Sequence, residues 1–175
     1  ADQLLVTGRS ASGLVQVLVP ADTAGISIEP LTGVDLSRRF SVVTFDGVRV
    51  PAAAAVGDPG GTEAALERQL QHALVVANAE SVGALQAGFD LTVEWSFDRY
   101  SFGRPLASYQ ALKHRFADMK TWLEASHAIS DAGAAAVAVG GDDAGELVSA
   151  AKAFIGDRGN ELLQDCVQIH GGIGV

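Results

Sequence analysis

From Thr62 onward the apolar residues recur at helical spacing in three successive runs, and this is what most limits the folds open to the chain. Thr62, a candidate N-cap, opens the first run, whose stripe is Leu66, Leu70, Leu74, Ala77, Leu85, Phe89, Val93 and Phe97. The second carries Leu112, Phe116, Met119, Leu123 and Ile129 as far as Gly140-Gly141. The third opens with Asp143 and Glu146 in capping-box spacing and runs through Leu147, Phe154, Leu162 and Val167 to Gly171-Gly172. Three long helices with short connections pack as antiparallel neighbours, which gives most of an up-and-down bundle; a fourth helix would complete it.

Before Thr62 the period changes. "LLVTGRSASGLVQVLVP" sets two β-rich runs around the turn composition Ser10-Ala11-Ser12-Gly13. "GISIEP" and "RRFSVVTFDGVRVP" follow, the latter alternating Phe40, Val42 and Thr44 with Ser41, Val43 and Phe45 and turning at Asp46-Gly47 before Val48 and Val50. So few strands neither close a barrel nor cover both faces of a sandwich. The expected fold is therefore α+β and multi-domain: a partial β-barrel or sandwich segment over 1–57, a linker at 58–61 and a helical bundle over 62–175. The chain is expected to be a portion of a longer protein.

Composition removes several function classes. A net charge of −9, with 12 Lys and Arg scattered against 21 Asp and Glu, disfavours nucleic acid and anionic membranes as partners. Cys166 is the single cysteine, so no internal disulfide and no cysteine metal pattern exists, and a reducing compartment is the default. No apolar run reaches the roughly 20 residues that cross a bilayer, and "ADQLLVTGRS" lacks the order of a signal peptide. The expectation is a cytoplasmic protein with no membrane insertion and no bound metal.

Between the first two helical runs lies "RYSFGRPLASYQALKH". Read locally, Gly103 is the left-handed residue past a helix end and Pro105 sits in the first turn of the next helix. Yet Arg99, Phe102, Gly103, Pro105 and Gln110 also stand in the order R-x-x-F-G-x-P-x-x-x-x-Q, and "QIHGGIG" ends the third run at Gln168–Gly174. An arginine at a helix end offers a planar fork of donors suited to phosphate. With the β segment "FDGVRVP" in front, this pairing of motifs resembles the flavin-dependent acyl-CoA dehydrogenase family over almost the whole chain.

The resemblance implies an FAD cofactor. Arg99 then contacts the FAD diphosphate, Phe102 offers it an apolar surface and Gln110 hydrogen-bonds it. Gln168, Gly171 and Gly172 reach across a subunit interface to the FAD held mainly by a neighbouring chain. It also implies α,β-dehydrogenation of an acyl-CoA to the trans-2-enoyl-CoA, with electron-transfer flavoprotein or a similar acceptor and a homo- or hetero-oligomeric dimer or tetramer.

Such enzymes need a carboxylate base in a dry pocket, and the catalytic residue is unknown here. An ungapped count back from Arg99 sets one of the family's two base positions at Ala73, and the other lies beyond Val175. The neighbouring position, often an arginine that helps hold CoA, is Leu74. Glu80 reads as a solvated or internally paired helix carboxylate and the doublet Arg38-Arg39 as a loop surface, with a CoA phosphate contact as the alternative; the histidines carry no metal or base pattern. Two other readings stay open: a catalytically deficient partner subunit of a heteromeric enzyme, and a non-enzymatic helical interaction module. Flavin oxidases and monooxygenases of the same architecture also remain.

Overall fold

The computed structural model describes residues 2–11, 13–58 and 61–174 and divides into two compact units, residues 1–66 and 67–175. Ser12 of the expected hairpin turn, and Pro59 and Gly60 of the expected linker, lie outside the described residues.

In the first unit, β1 (Gln3–Ser10) pairs antiparallel with β2 (Gly13–Pro20) in a register running from Gln3↔Pro20 to Ser10↔Gly13. β3 (Ile26–Pro30) pairs with β4 (Ser41–Phe45), and a short β5 (Ala55–Val56) adds to the other edge of β2. Phe40 precedes the strand, and Val48 and Val50 belong to none. After Asp46-Gly47 the chain does not fold back as a new strand. Instead the Asp46 N–H donates to the Gly25 carbonyl at 2.8 Å. Gly25 itself has φ +90°, and a Cβ there would meet the Asp46 oxygen at 2.3 Å, so only glycine joins β3 to the end of β4 this closely. Across residues 2–58 the fully buried side chains are Gln16 and Val19, and Gln16 Nε2 donates to Thr7 Oγ1 across the β1–β2 pair. Leu5, Ile28, Phe40 and Phe45 remain exposed. These open apolar faces are what a partial β segment without a covering layer predicts.

The second unit is built from α1 (Thr62–Asp98), α2 (Gln110–Val139) and α3 (Ala144–His170). Pairwise contacts give the directions. Phe89 meets Phe116 while Gln86 meets His127, so α1 and α2 are antiparallel. Arg115 meets Asp165 while Gly133 faces Val148, so α2 and α3 are antiparallel as well. Asn78 reaches the Val148 carbonyl and Leu85 fills the space at Gly159, which sets α1 and α3 parallel. This is the up-and-down order the helical runs predict.

The buried face of α1 differs from the expected stripe. Leu70 and Phe97 are exposed, and beyond the first residue, Thr62, the buried positions are Asn78, Val82, Leu85, Phe89, Thr92 and Ser96. Their steps of four and three are a heptad seam, and α2 repeats it at Met119, Leu123, Ser126, Ser130, Gly133 and Val137. A stripe advanced mostly in fours drifts around the helix, whereas alternating steps stay on one face. Two of the hydroxyl members bond their own helix: Thr92 Oγ1 donates to the Gly88 carbonyl and Ser126 Oγ to that of Trp122. Gly133 lets the α2 backbone approach α3, since a Cβ there would lie 3.3 Å from Val148 Cα.

Helix ends depart from expectation by small amounts. Thr62 is the first helical residue rather than the cap. Asp143 does cap α3, but its side chain makes no capping bond, so the predicted box does not form. Gly140 closes α2 in the left-handed conformation as expected. No helix among the described residues is long and apolar enough to cross a membrane.

Candidate cofactor site

The corner between α1 and α2 is a small β-hairpin. α1 stops at Asp98 with the Arg99 N–H still bonded to the Trp95 carbonyl at 2.9 Å. β6 (Tyr100–Ser101) then pairs with β7 (Arg104–Pro105), leaving Phe102-Gly103 as a two-residue loop. Both loop residues have positive φ, +50° and +80°, the requirement of the tight hairpin turn whose twist matches its strands. Gly103 is thus a hairpin residue and not a helix cap. Pro105 likewise precedes a separate 3₁₀ turn, Leu106–Ser108, and α2 begins only at Gln110. The hairpin is tied down by Tyr109, whose hydroxyl donates to the Ser101 carbonyl at 2.7 Å while Arg104 lies 3.8 Å over its ring.

Phe102 is the only described non-glycine residue with positive φ, and its side chain is 98% exposed. A bulky residue in this conformation is strained, and no packing within the chain offsets the strain. The Phe102 ring borders a shallow apolar pocket of about 260 Å³ with Leu106, Tyr109 and Leu112. That arrangement presents an aromatic face outward for a planar or apolar partner.

Arg99 is exposed and has no carboxylate partner among the described residues. Its guanidinium carbon lies 6.0 Å from the centroid of Trp95. The same indole stacks on His170, with ring centroids 5.5 Å apart and planes 14° from parallel. His170 Nδ1 sits 2.8 Å from the Cys166 carbonyl. A carbonyl only accepts, so Nδ1 carries the proton and the ring is oriented by its own helix. Trp95, which the motif reading passed over, therefore joins the R-x-x-F-G corner to the QIHGG segment. The available signal was its position one helical turn before Arg99.

The remaining predicted residues fall at the same end. Gln110 is the exposed first residue of α2, its amide 3.3 Å from His114 Nε2. Gln168 is exposed in the last turn of α3. Gly171 adopts φ +68°, ψ −141°, open to glycine alone, but its N–H caps α3 on the Gln168 and Val167 carbonyls. That N–H is therefore taken up by the helix end. A Cβ at Gly172 would meet nothing within 4 Å and its φ is ordinary, so nothing in the chain itself requires glycine there. An unpaired arginine, an outward aromatic, two exposed amides and an open glycine turn fit a ligand carrying a diphosphate and an aromatic ring system.

Other candidates resolve as structure. Ala73 is an exposed α1 residue, and Leu74 packs against the cluster of Val137, Ala144 and Val148, so the position that could carry a CoA-binding arginine is core. Glu80 is exposed. Arg38 pairs with Asp35, whose carboxyl is held below its ordinary range, chiefly by the Ser37 hydroxyl and N–H and further by Arg38. The Cys166 thiol is pushed up, mainly by burial, and is a packing residue rather than a nucleophile. No group of three His, Cys, Asp or Glu that could hold a metal occurs among the described residues.

Comparison with known proteins identifies the architecture. The family described as acyl-CoA dehydrogenase, C-terminal domain, matches residues 60–175. A probable acyl-CoA dehydrogenase, fadE25, of Mycobacterium leprae is 33% identical over 95% of this chain and 43% of its own length. The ChsE4-ChsE5 complex from Mycobacterium tuberculosis superposes with a TM-score of 0.88 at 28% identity, over 99% of this chain and 46% of the other. Butyryl-CoA dehydrogenase from Megasphaera elsdenii gives 0.91 at 24% identity, over 99% of this chain and 47% of the other. The chain spans less than half the length of the relatives it matches. Because the family model covers well over half of the chain and a relative is 33% identical over nearly all of it, the chain belongs to the acyl-CoA dehydrogenase family.

Proposed function

We propose that the full-length protein is a subunit of an FAD-dependent acyl-CoA dehydrogenase that converts an acyl-CoA thioester to its trans-2-enoyl-CoA. In this reading residues 1–57 are the later part of the middle β domain, 58–61 a linker and 62–175 most of the C-terminal helical domain. The observation that carries it is the convergence of Arg99, which lacks a carboxylate partner, and the QIHGG segment on Trp95. Arg99 would bind the FAD diphosphate, Phe102 would supply an apolar face and Gln110, Gln168 and the Gly171-Gly172 turn would complete the cradle. FAD, when bound, accepts the hydride that leaves the substrate β-carbon. Removal of the α-proton needs a carboxylate, which Ala73 cannot supply, so the base comes from sequence outside these 175 residues or from another subunit. Because Arg99 and the QIHGG segment share one indole, they would serve the same FAD at a subunit interface. Acyl-CoA, an electron-transfer flavoprotein or similar acceptor and a homo- or hetero-oligomer in the cytoplasm complete the proposal.

Ala73 and the core position of Leu74 favour a second reading: a subunit that contributes flavin contacts to a competent partner in a heteromeric enzyme. The visible spectrum of the purified full-length protein, followed by anaerobic addition of a panel of acyl-CoAs, separates the two. Flavin bands that bleach support the dehydrogenase. Flavin that no acyl-CoA bleaches supports the partner subunit, and the absence of flavin removes both.

The strained loop gives a prediction of opposite signs. Asn tolerates positive φ, so Phe102→Asn is expected to stabilise the FAD-free protein by about 1 kcal/mol. The same change removes the exposed ring and is expected to weaken FAD binding. Thermal melting of the FAD-free protein and FAD titration check the two halves, and a variant with lower stability and unaltered affinity would contradict both.

A further inference from the structure

We propose that Trp95 is a positioning residue: its indole fixes the Arg99 guanidinium and the Gln168–Gly172 segment in one arrangement, so that both meet a single phosphate-bearing ligand as a unit. The proposal rests on the flavin reading of this site. Trp95 lies on α1, yet it is the indole that both Arg99 and His170 approach, at 6.0 Å and 5.5 Å from its centroid. His170 cannot turn freely, because its Nδ1–H is committed to the Cys166 carbonyl of α3. The indole thus rests on a ring whose plane α3 already sets.

The indole N–H is buried and has no hydrogen-bond partner among the described residues. Leaving a buried donor unpaired carries its desolvation cost, so a wholly apolar side chain would serve burial better than tryptophan does. What tryptophan adds is a flat π-surface. A guanidinium lying against such a surface keeps its N–H edge available for a phosphate fork. With Arg99 held in that way and no carboxylate competing for it, less side-chain freedom is lost when the ligand arrives.

The test compares Trp95→Leu with Trp95→Phe in the full-length protein stripped of FAD. Both side chains are smaller than tryptophan and apolar, but leucine removes the stacking surface, whereas phenylalanine keeps an aromatic face and removes the N–H. FAD titration is expected to show the dissociation constant rising roughly tenfold or more for Trp95→Leu and staying within about threefold for Trp95→Phe. In an Arg99→Gln background Trp95→Leu is expected to cost a smaller factor than in the unaltered protein, because only its hold on the Gln168–Gly172 segment is left to lose. Equal affinities for the leucine and phenylalanine variants, or losses that multiply across the two backgrounds, would overturn the positioning role. Failure of the unaltered protein to take up FAD would instead sink the flavin reading, and this proposal with it, so the two failures are distinguishable.

Discussion

Replacing Arg99 by alanine is expected to strip FAD from the full-length protein without unfolding it. The guanidinium is exposed, pairs with no carboxylate among the described residues and stands at the end of α1, where no core contact depends on it. Substitutions at such positions usually move stability by less than about 0.5 kcal/mol. A charge-assisted hydrogen bond to a phosphate contributes about 1.5–3 kcal/mol, so affinity should fall by roughly 10- to 150-fold. Arg99→Lys should fall between, because an ammonium keeps the charge and loses the planar fork. The comparison needs only FAD titration of the three proteins and a melting curve for each. Unchanged FAD occupancy in Arg99→Ala would remove the site assignment, whatever the activity of the protein.

The helical bundle was legible in the sequence because helix period, glycine stops and short connections all report on the local chain. Which face of each helix is buried was less so. Asn78, Thr92, Ser96, Ser126 and Ser130 occupy seam positions, and a search for apolar residues passes over them. The hydroxyls of Thr92, Ser96 and Ser126 bond back to their own helices and Asn78 bonds to Val148 of α3, facts that only the packed structure contains. Leu70 and Phe97 mislead in the opposite way, being apolar and yet exposed.

The site follows the same division. Arg99, Phe102, Gln110 and Gln168 are visible as motif residues. That Phe102-Gly103 forms a hairpin loop was hidden, because glycine before Arg-Pro is equally good punctuation for a helix end. Trp95 and His170 are 75 residues apart in sequence and meet only when α1 and α3 run parallel. No local pattern carries such a contact. Gly171 shows the limit of composition in another form: residue type alone does not reveal that its N–H is consumed in closing the helix.

Arg115 and Asp165 couple the bundle to the site, and removing the cation is expected to cost more than removing the buried charge. Asp165 is almost fully buried beside Leu162 and Cys166, one of its oxygens lacks a partner, and Arg115 holds the other from α2. Arg115 is about half exposed, so it can return to water if Asp165 loses its charge. Asp165→Asn is therefore expected to cost about 1 kcal/mol, the net worth of a hydrogen bond. Arg115→Ala strands a buried carboxylate with no cation; allowing for the solvent already around the guanidinium, about 2–3 kcal/mol is expected. The double variant should be more stable than Arg115→Ala alone, since the charge left uncompensated is gone. Denaturant midpoints of the three variants give the order, and a lower midpoint for Asp165→Asn than for Arg115→Ala would refute it. The pair lies five residues after Gln110 and three before Gln168, and it is a charge link between those ends of α2 and α3. Arg115→Ala should accordingly loosen FAD as well, through the spacing of the two amides rather than through any contact of its own.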